Sequence, residues 1–432
     1  MDWNELYNLG LGLFEKATAF LDEALEIKPD YHEACYNQGV ALGNSGKFQE
    51  AIASYDKALE IKPDYHEAWN NRGNAMNILG LFEEALASSD KALKIKPDFH
   101  LAWYNRGVAL GNLGRFEEAI ASYDKALEIK PDFHEEAWSN RGVALSNLGR
   151  VEEAIASFDK ALEFKRSYHE AWNNRGTALG NLGRWEEASA SFDKALEFKP
   201  SYHEAWNNRG TALGNLGRWE EALASYDKAL EFKPDLHDAW NNRGSALGNL
   251  GRFEEAIASY DKTLEIKPDD HEAWYNRGVA LGNLGRFEEA IASYDKALET
   301  KPDFHAAWYT RGYALGNLGR WEEAIASYDK ALEFKPDFHE AWGNRGYALC
   351  NLERLEEAIV SFDKALEFKP NYQEAFYNKA CCYALQSQID QAIQNLQQAI
   401  NLNPDTYREL AKTDSGFDSI RSDTRFQALI QE

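Results

Sequence analysis

The chain has 432 residues, 44% of them hydrophobic, and a formal net charge of −24. No stretch approaches 18 apolar residues, so no transmembrane helix or membrane insertion is expected. A chain this acidic does not suit a phosphate backbone, which needs a basic face, so nucleic acid is not an expected partner.

The opening MDWNELYNLG carries acids and no basic n-region. No secretory signal is therefore expected, and a cytoplasmic location is. Residues 1–34 read as an eroded unit in which Ala17, Leu21, Ala24 and Pro29 keep the register of the later units. From there a tryptophan or its substitute recurs at Cys35, Trp69, Trp103, Trp138, Trp172, Trp206, Trp240, Trp274, Trp308, Trp342 and Phe376. The interval is 34 residues nine times and 35 once, the extra residue being Glu135 or Glu136. Blocks 172–205 and 206–239 differ at five of 34 positions, which points to recent internal duplication.

Each unit predicts two helices. PDYHEAW (Pro63–Trp69) offers a capping box, with Asp64 capping and Glu67 reaching back. The first helix runs to a Leu-Gly pair, where Gly183 supplies a left-handed stop. The second opens on acids, Glu186 and Glu187, and closes on Lys199-Pro200. All eleven prolines hold this one position; Arg166 replaces the proline once, and a looser link over 165–168 is expected there. After Pro404 the pattern stops. The tail predicts a helix near Thr406–Lys412, a turn at Asp414–Gly416 and a helix near Asp423–Gln431. Tyr407, Leu410, Phe426 and Leu429 are expected to cover the last apolar face of an array.

The 34-residue period, with the positions of Trp172, Gly176, Leu179, Gly183, Ala188, Phe192, Ala195 and Pro200 recurring in nearly every unit, resembles the tetratricopeptide repeat. The resemblance is strong over 35–404 and weak over 1–34, about twelve bacterial-type units in all, with 405–432 as a helical cap. It implies an all-α solenoid: antiparallel helix pairs stacked into a right-handed superhelix. First helices would line a concave groove that holds peptides or protein segments. Gly176, Ala188 and Ala195 would allow close helix approach, and Trp172, Trp185 and Phe192 would fill the gaps.

Candidate chemistry is sparse. The ten histidines share one repeat position. Helices pack roughly 8–10 Å apart, so equivalent histidines stand too far apart to share an ion. Structural turn roles are expected of them. Four cysteines (Cys35, Cys350, Cys381, Cys382) form no CxxC pattern and read as reduced, partly buried thiols. No nucleophile with a base, phosphate loop or ligand cluster stands out. Neither catalysis nor a cofactor is expected.

On a helical wheel of the first helix, Trp172, Arg175, Gly176, Leu179 and Leu182 share one side. Glu170, Asn173, Asn174, Thr177, Gly180 and Asn181 share the other, the side the resemblance turns to the groove. Its central asparagine recurs as Asn37, Asn71, Asn105, Asn140, Asn174, Asn208, Asn242, Asn276, Asn344 and Asn378, with Thr310 the one break. Amides both donate and accept, so this row resembles the asparagine ladders that hold extended peptide backbones. The competing reading is that these asparagines bond within the array. The lysines of a carboxylate-clamp site are missing from the stripe. Glycines (Gly111, Gly180, Gly214, Gly248, Gly282, Gly316) deepen it, and Tyr104, Tyr275, Tyr309 and Tyr347 vary it where the middle repeats offer Asn173, Asn207 and Asn241.

The apolar side holds a puzzle. Arg175 recurs at Arg72, Arg106, Arg141, Arg209, Arg243, Arg277, Arg311 and Arg345, with Gln38 and Lys379 at the ends. A half-buried guanidinium needs a carboxylate. Pairing across repeats leaves fewer mismatches at the ends than pairing within them, so Asp159 is expected on Arg175 and Asp193 on Arg209.

The expected function is that of a scaffold binding an extended protein or peptide segment bearing lysine or arginine, as a monomer or a member of a larger complex. One alternative is a targeting or regulatory subunit docking by its edge, convex face or tail. Another is a self-assembling solenoid.

Overall fold

The computed structural model describes residue 16, residues 18–132 and residues 135–431. The eroded unit's first fifteen residues, its Ala17, and His134 therefore lie outside the described residues. The chain divides into two compact units, Met1–Gly217 and Arg218–Glu432.

In the first unit, α1 (residues 18–27) precedes five pairs. These are α2 (His32–Asn44) with α3 (Phe48–Ile61), α4 (His66–Ile78) with α5 (Phe82–Ile95), α6 (His100–Asn112) with α7 (Phe116–Ile129), α8 (Glu135–Asn147) with α9 (Val151–Phe164), and α10 (His169–Asn181) with α11 (Trp185–Phe198). The unit closes on α12 (His203–Asn215). The second opens on α13 (Trp219–Phe232). Pairs come next: α14 (His237–Asn249) with α15 (Phe253–Ile266), α16 (His271–Asn283) with α17 (Phe287–Thr300), α18 (His305–Asn317) with α19 (Trp321–Phe334), α20 (His339–Asn351) with α21 (Leu355–Phe368), and α22 (Gln373–Leu385) with α23 (Ile389–Leu402). The tail adds α24 (Pro404–Thr413), a 3-10 turn (Ser415–Ile420) and α25 (Thr424–Gln431). The described residues contain no strand.

First helices have 13 residues and second helices 14. Helices this short are marginal alone, so packing must hold them. Ala171, Ala188 and Ala195 are fully buried, as are their equivalents, which lets neighbouring axes approach closely. Gly176 shows why one position admits no side chain: a Cβ there would lie 2.6 Å from Phe192 Cε1. In most repeats the aromatic ring of the second helix rests on that bare backbone; α5 has Ser89 there instead. Between the helices Gly183 takes φ +72°, and the Arg184 N–H donates to Leu179 O at 3.0 Å, a Schellman closure. Glu353 and Ser387 hold the same left-handed conformation at φ +59° and +58° without being glycine.

The capping box is not formed. Asp64 sits in the preceding turn, Tyr65 occupies the cap with no side-chain bond, and Glu67 pairs with His66 at 3.0 Å. Packing between repeats wins the cap position. The aromatic there meets the histidine of the previous repeat edge-on: His66–Phe99 at 5.0 Å, His169–Tyr202 at 5.3 Å, His339–Tyr372 at 5.2 Å. Where Asp270 replaces that aromatic it does cap, accepting from Ala273 N at 3.0 Å. The link at Arg166 is not looser. Trp172 Nε1 donates to Arg166 O at 2.9 Å, as Trp206 Nε1 does to Pro200 O at 2.8 Å. That turn is fixed by the indole bond, which needs only a carbonyl. The inserted residue is absorbed ahead of α8, where Glu135 takes the place histidine holds elsewhere.

The arginine clamps the repeats. Arg175 Nε donates to Asp159 Oδ1 at 2.6 Å, and Arg209 to Asp193 at 2.6 Å, both across repeats. The contact recurs from Arg72–Asp56 at 2.6 Å to Arg345–Asp329 at 2.6 Å. A further partner was not foreseen: Arg175 Nη1 donates to Ser191 Oγ at 2.7 Å in its own repeat. The guanidinium also lies 5.8 Å from the Trp172 ring. At the ends, Gln38 takes both roles, donating to Asp22 and accepting from Ser54, while Lys379 pairs with Asp363.

The tail folds over the end of the second unit. Tyr407, Phe417, Ile420, Phe426 and Ile430 are buried with Tyr377, Leu396 and Ile400. Leu429 packs against this cluster, but Leu410 is 47% exposed and covers nothing. Phe417 and Ile420 do that work from the 3-10 turn, a segment with no helical period to mark it.

Candidate functional site

The asparagine stripe lies where successive first helices adjoin. Second helices reach it only with aromatic side chains such as Phe116, Tyr123, Trp185 and Trp321. The central asparagine turns its amide sideways to the preceding repeat. Asn71 Nδ2 donates to Tyr36 Oη at 3.0 Å, Asn105 to Asn70 Oδ1 at 3.0 Å and Asn140 to Tyr104 Oη at 3.2 Å. Asn208 donates to Asn173 Oδ1 at 3.2 Å, Asn276 to Asn241 Oδ1 at 3.4 Å and Asn344 to Tyr309 Oη at 3.0 Å. The row is thus a structural ladder along each unit, in which a rung spends one of an amide's two N–H groups. Thr310, the break, turns its hydroxyl to Ala306 O instead.

The partners in these rungs are less exposed than the wheel implies. Asn173 is buried, as are Asn70 and Asn105. Tyr104, Tyr275 and Tyr309 are half-buried, and burial pushes their hydroxyls above the usual phenol range. Tyr309 stacks at 4.7 Å on Phe338 of the next turn, and Tyr275 at 4.9 Å on Phe304. The residue after the tryptophan lies on the border between the two wheel stripes, and the neighbouring helix claims it. Tyr347 differs: it is 50% exposed and 6.0 Å edge-on from Trp321.

Along the same face a pocket repeats between consecutive first helices. The one between α6 and α8, about 480 Å³, has Gly111 and Asn112 on one wall and Asn140 on the other. Gly180 and Asn208 hold those places between α10 and α12, Gly248 and Asn276 between α14 and α16, and Gly316 and Asn344 between α18 and α20. Asn378 lines a further pocket between α20 and α22 with Glu374. Several glycines here differ from Gly176. A Cβ at Gly248 would meet nothing within 4 Å, and one at Gly111 or Gly282 would meet only a tyrosine oxygen at 3.8 Å or an ordinary carbon contact, whereas one at Gly180 would lie 3.0 Å from Trp185 Cζ3.

The stripe position of Asn181 is occupied in other repeats by Asn112, Asn249, Asn283 and Asn317, which donate to the carbonyl four residues back at 2.9 Å. Their side-chain carbonyls remain as acceptors beside the pockets. One contributor escaped the sequence reading: Tyr313, 55% exposed and one repeat before Tyr347 at the same position.

Family models described as tetratricopeptide repeat match residues 32–65, 54–87, 100–133, 133–199, 203–236, 241–304, 305–338, 339–372 and 374–406. Among solved structures, the chain is similar to YrrB, titled a TPR protein with an unusual peptide-binding site: 26% identity, TM-score 0.40, over 44% of this chain and 98% of that one. It is similar to yeast Tom70 at 19% identity and TM-score 0.38, over 94% of this chain and 100% of that one. It is also similar to the APC/C Cut9–Hcn1 hetero-tetramer at 15% identity and TM-score 0.45, over 97% and 93%. No curated protein matches the chain.

Proposed function

We propose that this chain, which belongs to the tetratricopeptide repeat family, is a non-catalytic interaction scaffold holding an extended protein segment against its first-helix face. The observation that carries this is the unobstructed glycine beside the ladder at Gly111, Gly248 and Gly282. Glycine inside a helix costs about 0.5–1 kcal/mol against alanine. At Gly248 no neighbour would obstruct a Cβ, so packing does not ask for glycine there. What its bareness supplies is depth beside Asn276.

The ladder asparagines then serve twice. One amide N–H ties repeats together, and the rest of the amide faces the pocket. With the late asparagines donating to their own backbone, the surface is richer in acceptors than donors. It favours backbone N–H groups and basic side chains, in keeping with a net charge of −24. Weak contacts at many rungs add up when one segment spans several of them. Docking by the tail is disfavoured by the burial of Phe417, Ile420 and Phe426 within it.

Replacing ladder asparagines would break rungs as well as contacts, so filling the pockets is the cleaner test. Gly248→Leu with Gly282→Leu puts side chains into open space. Quantitative affinity capture should lose a specific set of partners with the double variant while its melting temperature holds. Equal recovery by both proteins would refute groove binding.

A further inference from the structure

Among the pockets along the first-helix face, one in the second unit stands apart. The pocket between α18 and α20 has a volume of about 640 Å³, against about 480 Å³ and 350 Å³ for those at α6–α8 and α14–α16. Its rim carries Tyr313 and Tyr347, 55% and 50% exposed. Of the tyrosines among the described residues only Tyr31 is also exposed. Other repeats place Val108, Val143, Thr177, Thr211, Ser245 or Val279 at that position. Trp321 forms the wall, 6.0 Å edge-on from Tyr347. Trp185 stands at the equivalent wall of its own repeat, but there it faces Thr177 and Thr211.

Tyr347 and Asn344 also line the next pocket, between α20 and α22. That pocket contains Glu374, a carboxylate that the described residues leave without an ion pair. Gly343 offers Asn378 no side chain to bond to, so this rung's amide stays open beside Glu374. Two exposed phenol faces, one indole and a carboxylate that accepts a 3.4 Å bond from the neutral Gln373 amide thus form one continuous stretch.

We infer that this stretch, from Trp321 across Tyr313 and Tyr347 to Glu374, is a subsite for one arginine side chain of the bound segment. The inference rests on the groove reading above and names what the groove selects. A guanidinium is flat, stacks on aromatic faces and forks onto a carboxylate. Lysine is a strongly hydrated point charge and gains less from tyrosine faces. An aliphatic side chain would use the rings but leave the Glu374 charge without a counter-charge. Asn317 adds an acceptor in its side-chain carbonyl, one of its two amide N–H groups being spent on Tyr313 O at 2.9 Å. The charge is complementary on both scales, local and whole-chain.

The test is selection of displayed random 12-residue peptides on the full chain, followed by affinity measurements. Selected peptides should share an arginine at one fixed place. Arg→Gln in the peptide should weaken binding to the wild type about tenfold. The same change should have no effect on a Tyr313→Val, Tyr347→Val, Glu374→Gln variant; valine is what other repeats carry there, so its melting should be unchanged. Absence of a shared arginine, equal affinity for lysine, or arginine dependence that survives in the variant would each overturn the subsite. Gly248→Leu with Gly282→Leu separates the two readings. Peptides that bind this filled protein as well as wild type would overturn the groove, and the subsite with it. Peptides that lose binding to it, yet show no arginine preference, would leave the groove standing and overturn the subsite alone.

Discussion

At the residue scale, position 175 and its equivalents show a charged group serving as a fold element. Arg311 joins Asp295 of the previous repeat at 2.6 Å and Ser327 of its own at 2.7 Å, with its side chain 19% exposed. Arg311→Leu should lower stability to denaturant by about 1–2 kcal/mol, since it removes two charge-assisted bonds from a pair whose carboxylate is half-solvated. A double variant with Asp295→Ala should cost clearly less than the sum of the singles. Strict additivity would contradict the clamp. The two glycine classes give an opposed pair of outcomes in one helix type. Gly248→Ala should stabilise by about 0.5–1 kcal/mol, because the space is open and the unfolded chain loses freedom. Gly312→Ala should destabilise by about 1–2 kcal/mol, because its Cβ would lie 2.7 Å from Tyr328 Cε1. Thermal melts of the two variants should therefore shift in opposite directions.

At the scale of one element, most of the helix pair was legible from spacing. The tryptophan period, the Leu-Gly stop and the acids opening each second helix are local signals with local causes, and each sits where the sequence places it. The cap was not legible, because Asp64 and Tyr65 compete for it and the winner is set by His32 of the preceding repeat, whose ring lies 5.4 Å away. Sequence spacing ranks local bonds and is blind to such neighbours. The cross-repeat arginine pairing was legible for a different reason: the array's ends, Gln38 and Lys379, act as natural substitutions. Its serine partner was hidden among small residues that packing alone explains. The turn between paired helices carries a separate prediction. Glu353 at φ +59° occupies a conformation that glycine adopts in nearly every other repeat. Glu353→Gly should raise stability by about 1 kcal/mol, read from urea melts. A loss of stability would mean the Glu353 side chain has a role of its own.

At the scale of the whole molecule, an array of near-identical repeats needs ends. In the second unit the apolar end face formed by α22 and α23 is covered by the tail, with Phe417 wholly buried 5.6 Å from Tyr377 and 5.4 Å from Phe426. Phe417→Ala should cost about 3–5 kcal/mol and melt this end first. Hydrogen exchange should rise in α22 to α25 before it rises in α14 to α17; uniform loosening would contradict a local cover. Half of the candidate site was legible too. The ladder row and its glycine floor follow from the wheel, whereas the fate of each amide does not, because a wheel has no neighbouring helix. Asn173 and Tyr309 consequently fell inside the array and Tyr313 was overlooked. The central claim concerns which face binds, and cross-linking reads that directly. A photoreactive benzoylphenylalanine is placed at Val279, on the wall of the α14–α16 pocket, or at Lys262, exposed on α15. The bound segment should cross-link from position 279 and not from 262. Cross-linking from 262 alone would contradict a groove-binding scaffold.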